Sequence, residues 1–341
     1  MREISLSFID SAGFDVKVYR RLFKSVVILL FAPFICSVQA LEWQMPLAGD
    51  QQSFQSQLAF DFAREVQRNT NNKLLISTFP AGELFQGEQI FGAVKNGLVP
   101  IGVRLISALD YEHPLLRLDA LPFLAKNYME AFNLYKASKG DLEKVLKVKG
   151  VKLLYAVPWP AQGLYSTKKI NSMDDFKNLR FRPYSKVTAI FGKNLGLKPV
   201  IIPLTKLNRA LRRKHINVLF GSALAAQKLP LAKYFPYWYD LQAWLPKEMA
   251  VVSLQHWQKL TAVEQKALTA AAQTVEVRGW AKSKQLGEQG KQALLAAGVK
   301  IETLSPEVLR SIEVVGLSIV QQWLEEIGDK GRNLLERYIK K

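Results

Sequence analysis

The first part of the chain alternates short apolar runs with segments whose apolar residues recur at helical spacing. Phe54, Leu58, Phe62 and Val66 are four positions apart and therefore lie on one face of a helix. A second helical pattern occupies residues 90–94. Strands are predicted at residues 41–45, 74–79, 98–103 and 152–157. The resulting order, β-α-β-α-β with a further strand, is typical of a mainly parallel sheet.

The same alternation starts again in the middle of the chain. Helices are predicted at residues 185–194 and 207–213, and strands at residues 179–182, 200–202 and 218–220. Two such units in tandem predict two α/β lobes with a crevice at the carboxyl ends of their strands.

A long helix follows the second unit. Thr261 and Glu264 form a capping box, and no proline occurs from there to Ala297. A helix of these 37 residues would be about 55 Å long, more than one lobe is wide. It therefore either lies across both lobes or breaks at a glycine. The glycines in question are Gly279, Gly287 and Gly290. Ser305 and Pro306 then predict the start of a last helix.

The N-terminal segment has the three parts of a secretory signal peptide. Four basic residues between positions 17 and 24 precede an apolar run at residues 26–35, and Ala40 ends a stretch of small or neutral residues. We place the cut after Ala40, with residues 1–16 as extra sequence ahead of the signal, and expect a periplasmic protein. An uncleaved anchor is the alternative, although the run is short for a bilayer span. No later segment is apolar enough to cross a membrane, so we expect no stable insertion after cleavage.

Charge and cysteine content narrow the classes of partner. The chain has a formal net charge of +18, and the predicted mature chain keeps +16 because residues 1–40 hold five basic and three acidic residues. Such a field attracts anions of any size. The basic run at residues 209–214 is more typical of a solvated helix face than of a nucleic-acid site, so no nucleic-acid partner is expected. Cys36, the only cysteine, lies in the signal, which excludes a disulfide or thiolate chemistry in the mature chain.

Motifs for catalysis and cofactor binding are absent from the sequence. There is no G-x-G-x-x-G fingerprint, no P-loop and no G-x-S-x-G elbow. His113, His215 and His256 are far apart, and the carboxylates form no candidate acid–base pair. We therefore predict no catalytic residue, no metal ligand and no cofactor, and a protein that is not an enzyme.

An arginine at a strand end is the main indication of a ligand-binding site in the sequence. Leu179 and Phe181 alternate with Arg180 and Arg182 on the predicted strand, and Pro183 follows directly. An arginine at the end of a parallel strand points into the crevice, where its planar fork can hold a carboxylate through two bonds. On the residues alone, a structural or surface arginine is the stronger alternative.

A tryptophan between two prolines is the second feature. Trp159 lies between Pro158 and Pro160 directly after a predicted strand, and the prolines stiffen the backbone that holds it. Trp159 could stack on a ligand or pack in the crossover between lobes, and the pattern favours neither.

From Trp43 to about Lys284 the chain resembles the DctP-type solute-binding proteins of TRAP (tripartite ATP-independent periplasmic) transporters. The segments that carry the resemblance are residues 74–82 (LLISTFPAG), 100–108 (PIGVRLISA), 121–124 (LPFL), 153–165 (LLYAVPWPAQGLY), 170–182 (INSMDDFKNLRFR) and 239–246 (YDLQAWLP).

The resemblance implies a two-lobe periplasmic-binding-protein fold in the α/β class. Each lobe is expected to hold a mainly parallel or mixed sheet flanked by helices, with one long helix spanning both. After the signal peptide (1–40), lobe I is expected to comprise residues 41–160 and about 248–287, and lobe II residues 161–247 and about 288–341. The implied function is to bind a small organic-acid anion in the cleft and deliver it to a TRAP membrane permease. The alternative is a periplasmic protein that feeds a sensor or another transporter.

The resemblance also implies a ligand site. Arg182 stands where the family's strand-end arginine binds the ligand carboxylate. Gln162 stands where some relatives have a second arginine, which suggests a ligand with one carboxylate. Ser222 stands at a small polar contact, and Trp159 and Trp244 are expected to form pocket walls.

Arg104 and Tyr184 complete the set of ligand-binding candidates. Arg104 replaces an apolar residue of the related branch, and Val103 beside it often is Glu there. Lys214 and Asn217 stand where the branch usually has a glycine and an acid. We expect these departures to surround the cleft and to mark a divergent specificity.

Overall fold

The computed structural model describes residues 40–202, 206–227 and 229–340. The predicted signal peptide lies outside the described residues except for Ala40 at its end. Within the described ranges, no helix combines the length and the apolar character that a membrane crossing requires.

Eleven strands occur in the described part of the chain. They are β1 (Leu41–Pro46), β2 (Leu74–Phe79), β3 (Ile101–Leu105), β4 (Val151–Pro158), β5 (Gly163–Ser166), β6 (Arg180–Phe181), β7 (Lys198–Pro199), β8 (Val218–Gly221), β9 (Tyr237–Tyr239), β10 (Lys247–Ser253) and β11 (Lys300–Glu302).

Ten α-helices accompany these strands within the same described residues. They are α1 (Phe54–Asn69), α2 (Ile90–Lys95), α3 (Tyr128–Val148), α4 (Lys186–Asn194), α5 (Leu207–Arg212), α6 (Leu231–Tyr234), α7 (Leu254–Trp257), α8 (Ala262–Ala296), α9 (Pro306–Ile327) and α10 (Asp329–Ile339). Short 3₁₀ turns lie at Ile106–Leu109, Pro114–Ala120, Met173–Phe176 and Ala223–Gln227.

Five strands form what we call the first sheet. β1 pairs in parallel with β2, and β10 pairs antiparallel with both β3 and β4. A parallel bridge between Leu47 and Val103 joins the two parts, so the strand order is β2-β1-β3-β10-β4. Because β10 runs opposite to its neighbours, its first residues lie beside the carboxyl ends of β3 and β4.

Helix α1 covers this sheet with the predicted face. The Ser53 side chain accepts the amide of Ser56 as the N-cap, and the apolar positions four residues apart are buried. The Phe62 ring lies 5.4 Å from the ring of Tyr155 on β4, centroid to centroid. The spacing of apolar residues therefore predicted both the helix and the face that it buries.

Six strands form the second sheet, in the order β11-β9-β5-β8-β6-β7. β6 is parallel to β7 and β8, whereas β5 is antiparallel to β8 and β9. The carboxyl ends of β6, β8 and β9 and the beginning of β5 therefore lie at one edge of this sheet. The fold is thus α/β with two mixed sheets, as expected.

Helix α8 runs unbroken past all three of its glycines. Its N-terminus has the predicted capping box of Thr261 and Glu264. A Cβ at Gly279 would lie 2.6 Å from Cγ2 of Val157 in β4, and a Cβ at Gly290 would lie 2.5 Å from the amide nitrogen of Leu224. Gly279 thus allows close contact with the first sheet, and Gly290 allows close contact with the turn that follows β8 of the second sheet. The helix therefore spans both sheets.

The C-terminal helices pack back onto earlier segments. Ser305 caps α9 as predicted, and the buried Trp323 donates its indole N–H to the carbonyl of Pro114 at 2.9 Å. In α10, Arg337 pairs with Asp141 of α3. These contacts tie the end of the chain to the 3₁₀ turn at Pro114–Ala120 and to α3, which the sequence pattern did not predict.

Two strand predictions differ from the structure: one strand begins later than predicted, and the other is absent from the predicted residues. Residues 98–100 precede β3 because Gly97 turns the chain with a positive φ of 72° and Leu98 is exposed. β7 ends at Pro199, so the strand predicted at residues 200–202 is wrong; only the amide of Val200 continues the ladder, to the carbonyl of Phe181 at 2.8 Å. β10 was not predicted at all.

Candidate functional site

The chain passes between the two sheets in two short segments and through α8. The first segment, residues 159–162, follows β4, and the second, residues 240–246, follows β9. They are hydrogen-bonded to each other: the amide of Gln162 donates to the carbonyl of Trp244 at 3.0 Å, and the amide of Trp159 donates to Pro246 at 2.8 Å. The candidate site lies at these crossings, where strand ends of both sheets are found.

Arg182 follows β6 at the edge of the second sheet. Its Nε donates to the carbonyl of Ile202 at 3.0 Å, which leaves the outer guanidinium nitrogens for another acceptor. Partial burial lowers its pKa below the ordinary arginine value. Among the described residues, no carboxylate forms an ion pair with it. Arg182 is therefore a half-buried cation available to an anion.

Tyr184 and Trp244 form a pair beside this arginine. The Trp244 indole N–H donates to the Tyr184 hydroxyl at 2.6 Å, and burial raises the pKa of that hydroxyl well above its usual range. Trp244 is 1% exposed and packs its ring 5.7 Å from those of Phe191 and Phe220. The structure thus places Trp244 in the core beneath the strand ends. From there its indole N–H holds the Tyr184 hydroxyl in position.

Gln162 and Ser222 are neighbours on adjacent strands. Gln162 precedes β5 and Ser222 follows β8, and the pairing of Gly163 with Gly221 places them side by side. The side-chain amide of Gln162 donates from Nε2 to the carbonyl of Pro160 at 2.7 Å. The Ser222 carbonyl accepts the hydroxyl of Tyr165 at 2.9 Å. Gln162 and Ser222 thus place neutral polar side chains at this edge of the second sheet.

The first sheet contributes a second arginine. Arg104 lies in β3 near its carboxyl end, and its Nη1 lies 3.0 Å from the position of a Cβ at Gly87. Its Nε is buried and has no hydrogen-bond partner among the described residues. Burial lowers its pKa, whereas the negative charge of Glu248 opposes that shift, together with smaller effects of Tyr111 and Glu88.

Glu248 is a site residue that sequence reasoning missed. It is the second residue of β10 and lies opposite Leu105 at the end of β3 and Val157 near the end of β4. Burial raises its pKa to about 7, against the opposing effects of the Arg104 charge and a hydrogen bond from the Trp159 side chain. The only sign of Glu248 in the sequence is an acidic residue directly before an apolar run. That pattern does not reveal that β10 pairs with β3 and β4.

Trp159 links Glu248 to the beginning of α1. Its ring lies 6.2 Å from that of Phe54 in an edge-on arrangement, and its backbone is held by Pro246. Trp159 remains partly exposed, whereas Trp244 is not. The structure therefore separates two tryptophans that were expected to play the same part.

Three of the four departures lie away from the strand ends, which corrects their expected place around the cleft. Lys214 and Asn217 precede β8 at the opposite edge, where the Lys214 carbonyl and the Asn217 side chain accept bonds from Arg180. Lys214 has a φ of 52°, a conformation that favours glycine. Val103 is buried in the core of the first sheet. Of the four, only Arg104 lies near a strand end that faces the crossings.

A cavity of about 260 Å³ lies beside the same crossings. Its lining includes Pro160, Ala223, Asp240 and Lys291, but none of the seven predicted ligand-binding residues. The Lys291 amine contacts Asp240 Oδ2 at 2.7 Å and Glu288 at 3.3 Å, so these three charged groups of the lining are paired with one another. Elsewhere in the described ranges, no cluster of His, Cys, Asp and Glu has the arrangement of a metal site.

Comparison with known proteins finds one family and many related structures. The model of bacterial extracellular solute-binding protein family 7, DctP, matches residues 48–326. A TRAP solute-binding protein from an unidentified marine microbe, solved with co-purified pyroglutamate, is 33% identical, covers 89% of this chain and 100% of its own, and has a TM-score of 0.85. An extracytoplasmic solute receptor of Bordetella pertussis that binds pyroglutamic acid is 31% identical over 88% of this chain and 100% of its own, with a TM-score of 0.85. A monocarboxylate 2-oxoacid-binding periplasmic protein of Nostoc is 24% identical over 277 residues, 76% of this chain and 73% of that protein.

Proposed function

Because this chain belongs to family 7 of the bacterial extracellular solute-binding proteins, the DctP type of TRAP systems, we propose that it binds an organic acid with a single carboxylate between its two sheets. It delivers this acid to a TRAP membrane permease. The acid is delivered unaltered, in keeping with the transport role of the family.

The observation that carries the proposal is the state of Arg182. The guanidinium is half-buried at a strand end, uses Nε on a backbone carbonyl and has no carboxylate partner in the described part of the chain. A desolvated cation of this kind is costly unless an anion reaches it. The two outer nitrogens match the spacing of the two oxygens of a carboxylate.

The restriction to one carboxylate rests on the residues around Arg182. Gln162 and Ser222, its neighbours at the same edge, are neutral, so a second carboxylate would meet no cation there. The marine and Bordetella pertussis relatives bind pyroglutamate, and the Nostoc relative binds a monocarboxylate 2-oxoacid. Pyroglutamate is accordingly the first ligand to test.

We further propose that the two sheets are the centres of two lobes that close on the acid. Lobe I comprises residues 41–160 and about 248–287, and lobe II comprises residues 161–247 and about 288–341. The hydrogen-bonded crossings at residues 159–162 and 240–246 act as the hinge, with α8 as the spanning strut. Residues 1–40 direct the chain to the periplasm. A partner that is a sensor or another transporter is the second candidate.

The test is calorimetric titration of pyroglutamate into the wild type and variants of Arg182. Arg182→Ala leaves the ligand anion without its partner and should cost about 2–5 kcal/mol of binding free energy. Arg182→Lys keeps the charge but loses the planar fork, so it should lose much of the same affinity.

Arg180→Ala is the matched control. Arg180 is two residues before Arg182, at the start of β6, is exposed and donates a hydrogen bond to the Lys214 carbonyl at the opposite edge. It should bind like the wild type. If Arg182→Ala stays folded and binds within about threefold of the wild type, less than the tenfold of 1.4 kcal/mol, Arg182 is not the anchor.

A further inference from the structure

Glu248 brings a carboxylate to a site otherwise built for an anion. Its register places it between the ends of β3 and β4, at the edge that faces the crossings. The beginning of β10 is fixed there, because the Lys247 amide donates to Asp119 Oδ2 at 2.6 Å and both residues are buried. The position of Glu248 is therefore set by backbone structure and does not depend on a flexible loop.

The Glu248 carboxylate has unused hydrogen-bonding capacity. An ionised carboxylate offers about four acceptor sites, and the neighbouring Trp159 side chain lowers the pKa of Glu248 as a hydrogen-bond donor does. Arg104 attracts it electrostatically, but within the described residues the two side chains form no ion pair. Tyr155 of the neighbouring strand β4 adds only a hydroxyl. Its oxygen is buried and has no hydrogen-bond partner among the described residues. A donor from a ligand would complete this half-satisfied group.

From this arrangement, and resting on the proposed function, we infer that Glu248 determines specificity: it accepts a hydrogen bond from an N–H of the bound acid and repels ligands with a second carboxylate. Glu248 lies at strand ends of the first sheet and Arg182 at a strand end of the second, so a ligand bound between the two sheets would meet both side chains. A second negative charge beside Glu248 is unfavourable, whereas an N–H donor gains a charge-assisted bond. The ligand class is an acid with one carboxylate and one N–H, as in a lactam acid.

The unusual protonation of Glu248 agrees with this role. Burial raises its pKa to about 7, so the free protein holds a mixture of ionised and neutral forms near neutrality. An N–H donor stabilises the ionised form, while a second carboxylate favours the neutral form. Ligands of the two kinds should therefore shift the proton in opposite directions.

Two ring acids that differ at one atom test the inference. Pyroglutamate has a lactam N–H, and 5-oxotetrahydrofuran-2-carboxylate has a ring oxygen in the same place. Glutarate supplies the second carboxylate. Titration of the wild type should show at least about tenfold tighter binding of the lactam than of the lactone, and weaker binding of glutarate.

Two variants of Glu248 separate its two effects. Glu248→Ala removes the acceptor and should bring the lactam and the lactone within about threefold of each other. Glu248→Gln keeps an acceptor but removes the charge, so glutarate should gain affinity relative to pyroglutamate. Glu88→Gln is the matched control: Glu88 also acts on the Arg104 charge but is exposed, and its loss should leave the ligand preference unchanged. Melting temperatures verify that each variant folds, and Glu248→Gln alone suffices if the alanine variant does not.

The outcomes distinguish this inference from the function on which it rests. A wild type that binds lactam and lactone equally, or glutarate most tightly, overturns the role of Glu248 while the protein remains an organic-acid receptor. An unchanged preference in the Glu248 variants does the same. A wild type that binds none of the three acids contradicts both proposals.

Discussion

At the residue scale, the two tryptophans of the crossings show how location decides function. Trp159 is partly exposed and lies beside Glu248, whereas Trp244 is buried among Phe191 and Phe220. A partly exposed ring at a strand end is available to a ligand. A ring enclosed by aromatic neighbours contributes to stability instead.

Alanine substitution should therefore affect the two tryptophans differently. Trp159→Ala should weaken pyroglutamate binding by about 1–3 kcal/mol with a small change in stability. Trp244→Ala should lower the free energy of unfolding by about 3–5 kcal/mol, because it opens a core cavity and removes the donor to Tyr184. Titration and denaturant unfolding measure the two effects. Equal loss of stability in both variants would contradict the assignment.

Glu248 also makes stability depend on pH. Its pKa of about 7 in the folded protein is above its ordinary value of 4.5, so the folded state holds the proton more tightly than the unfolded chain. This contribution is fully present below the unfolded pKa and is lost as pH rises through the folded pKa. The interval in question therefore runs from about pH 4.5 to pH 7.

Glu248→Gln should remove this dependence. Relative to the wild type, the variant should become more stable as pH rises from about 5 to 8, by up to about 3 kcal/mol. Chemical unfolding of both proteins at several pH values measures the difference. A constant difference across this range would mean that Glu248 titrates normally.

At the element scale, the glycines of α8 are contact points, each with its own surroundings. Gly290 lies against the backbone of Leu224, whereas a Cβ at Gly287 would lie 3.4 Å from Pro160 Cβ, an ordinary contact distance. Both positions are helical, so alanine has the same intrinsic advantage at each. What differs is the space beside the helix.

Gly290→Ala should destabilise the protein by about 1–3 kcal/mol, because its Cβ would lie 2.5 Å from a backbone nitrogen and the helix must move. Gly287→Ala is the matched control and should be neutral or stabilising by up to about 1 kcal/mol. Thermal unfolding of the two variants measures the contrast. A Gly290→Ala protein as stable as the wild type would show that α8 is not tightly packed on the turn after β8.

At the scale of the whole molecule, the positive charge supports the capture of anions. The chain beyond residue 40 has a net charge of +16, and part of it lies on the exposed Arg209 and Arg212 of α5 and on Arg213 directly after it. Such a field raises the association rate of small anions, and dissolved salt screens it over a distance of about 10 Å or less.

The association rate of pyroglutamate should therefore fall several-fold as ionic strength rises from about 10 to 500 mM, while the dissociation rate changes less. Stopped-flow fluorescence measures both rates. A neutral osmolyte at equal osmolality is the control and should leave the association rate unchanged. An association rate that is insensitive to salt would mean that the net charge serves another purpose.

The sequence by itself determined the elements whose signals are local. The four-residue spacing of α1, the capping box of α8 and the Ser305 cap of α9 each involve neighbours within one or two helical turns, so the chain alone specifies them. The strand-end position of Arg182 was predicted in the same way, from an alternating run that stops at a proline.

Only the tertiary structure decided which residues meet. β10 pairs with β3 and β4, which lie far away in the sequence, and this pairing alone brings Glu248 to Trp159 and the strand ends. Likewise, burial among distant rings moved Trp244 into the core, and strand direction placed Lys214 at the far edge. Register and burial depend on contacts between remote segments, and no local pattern encodes them.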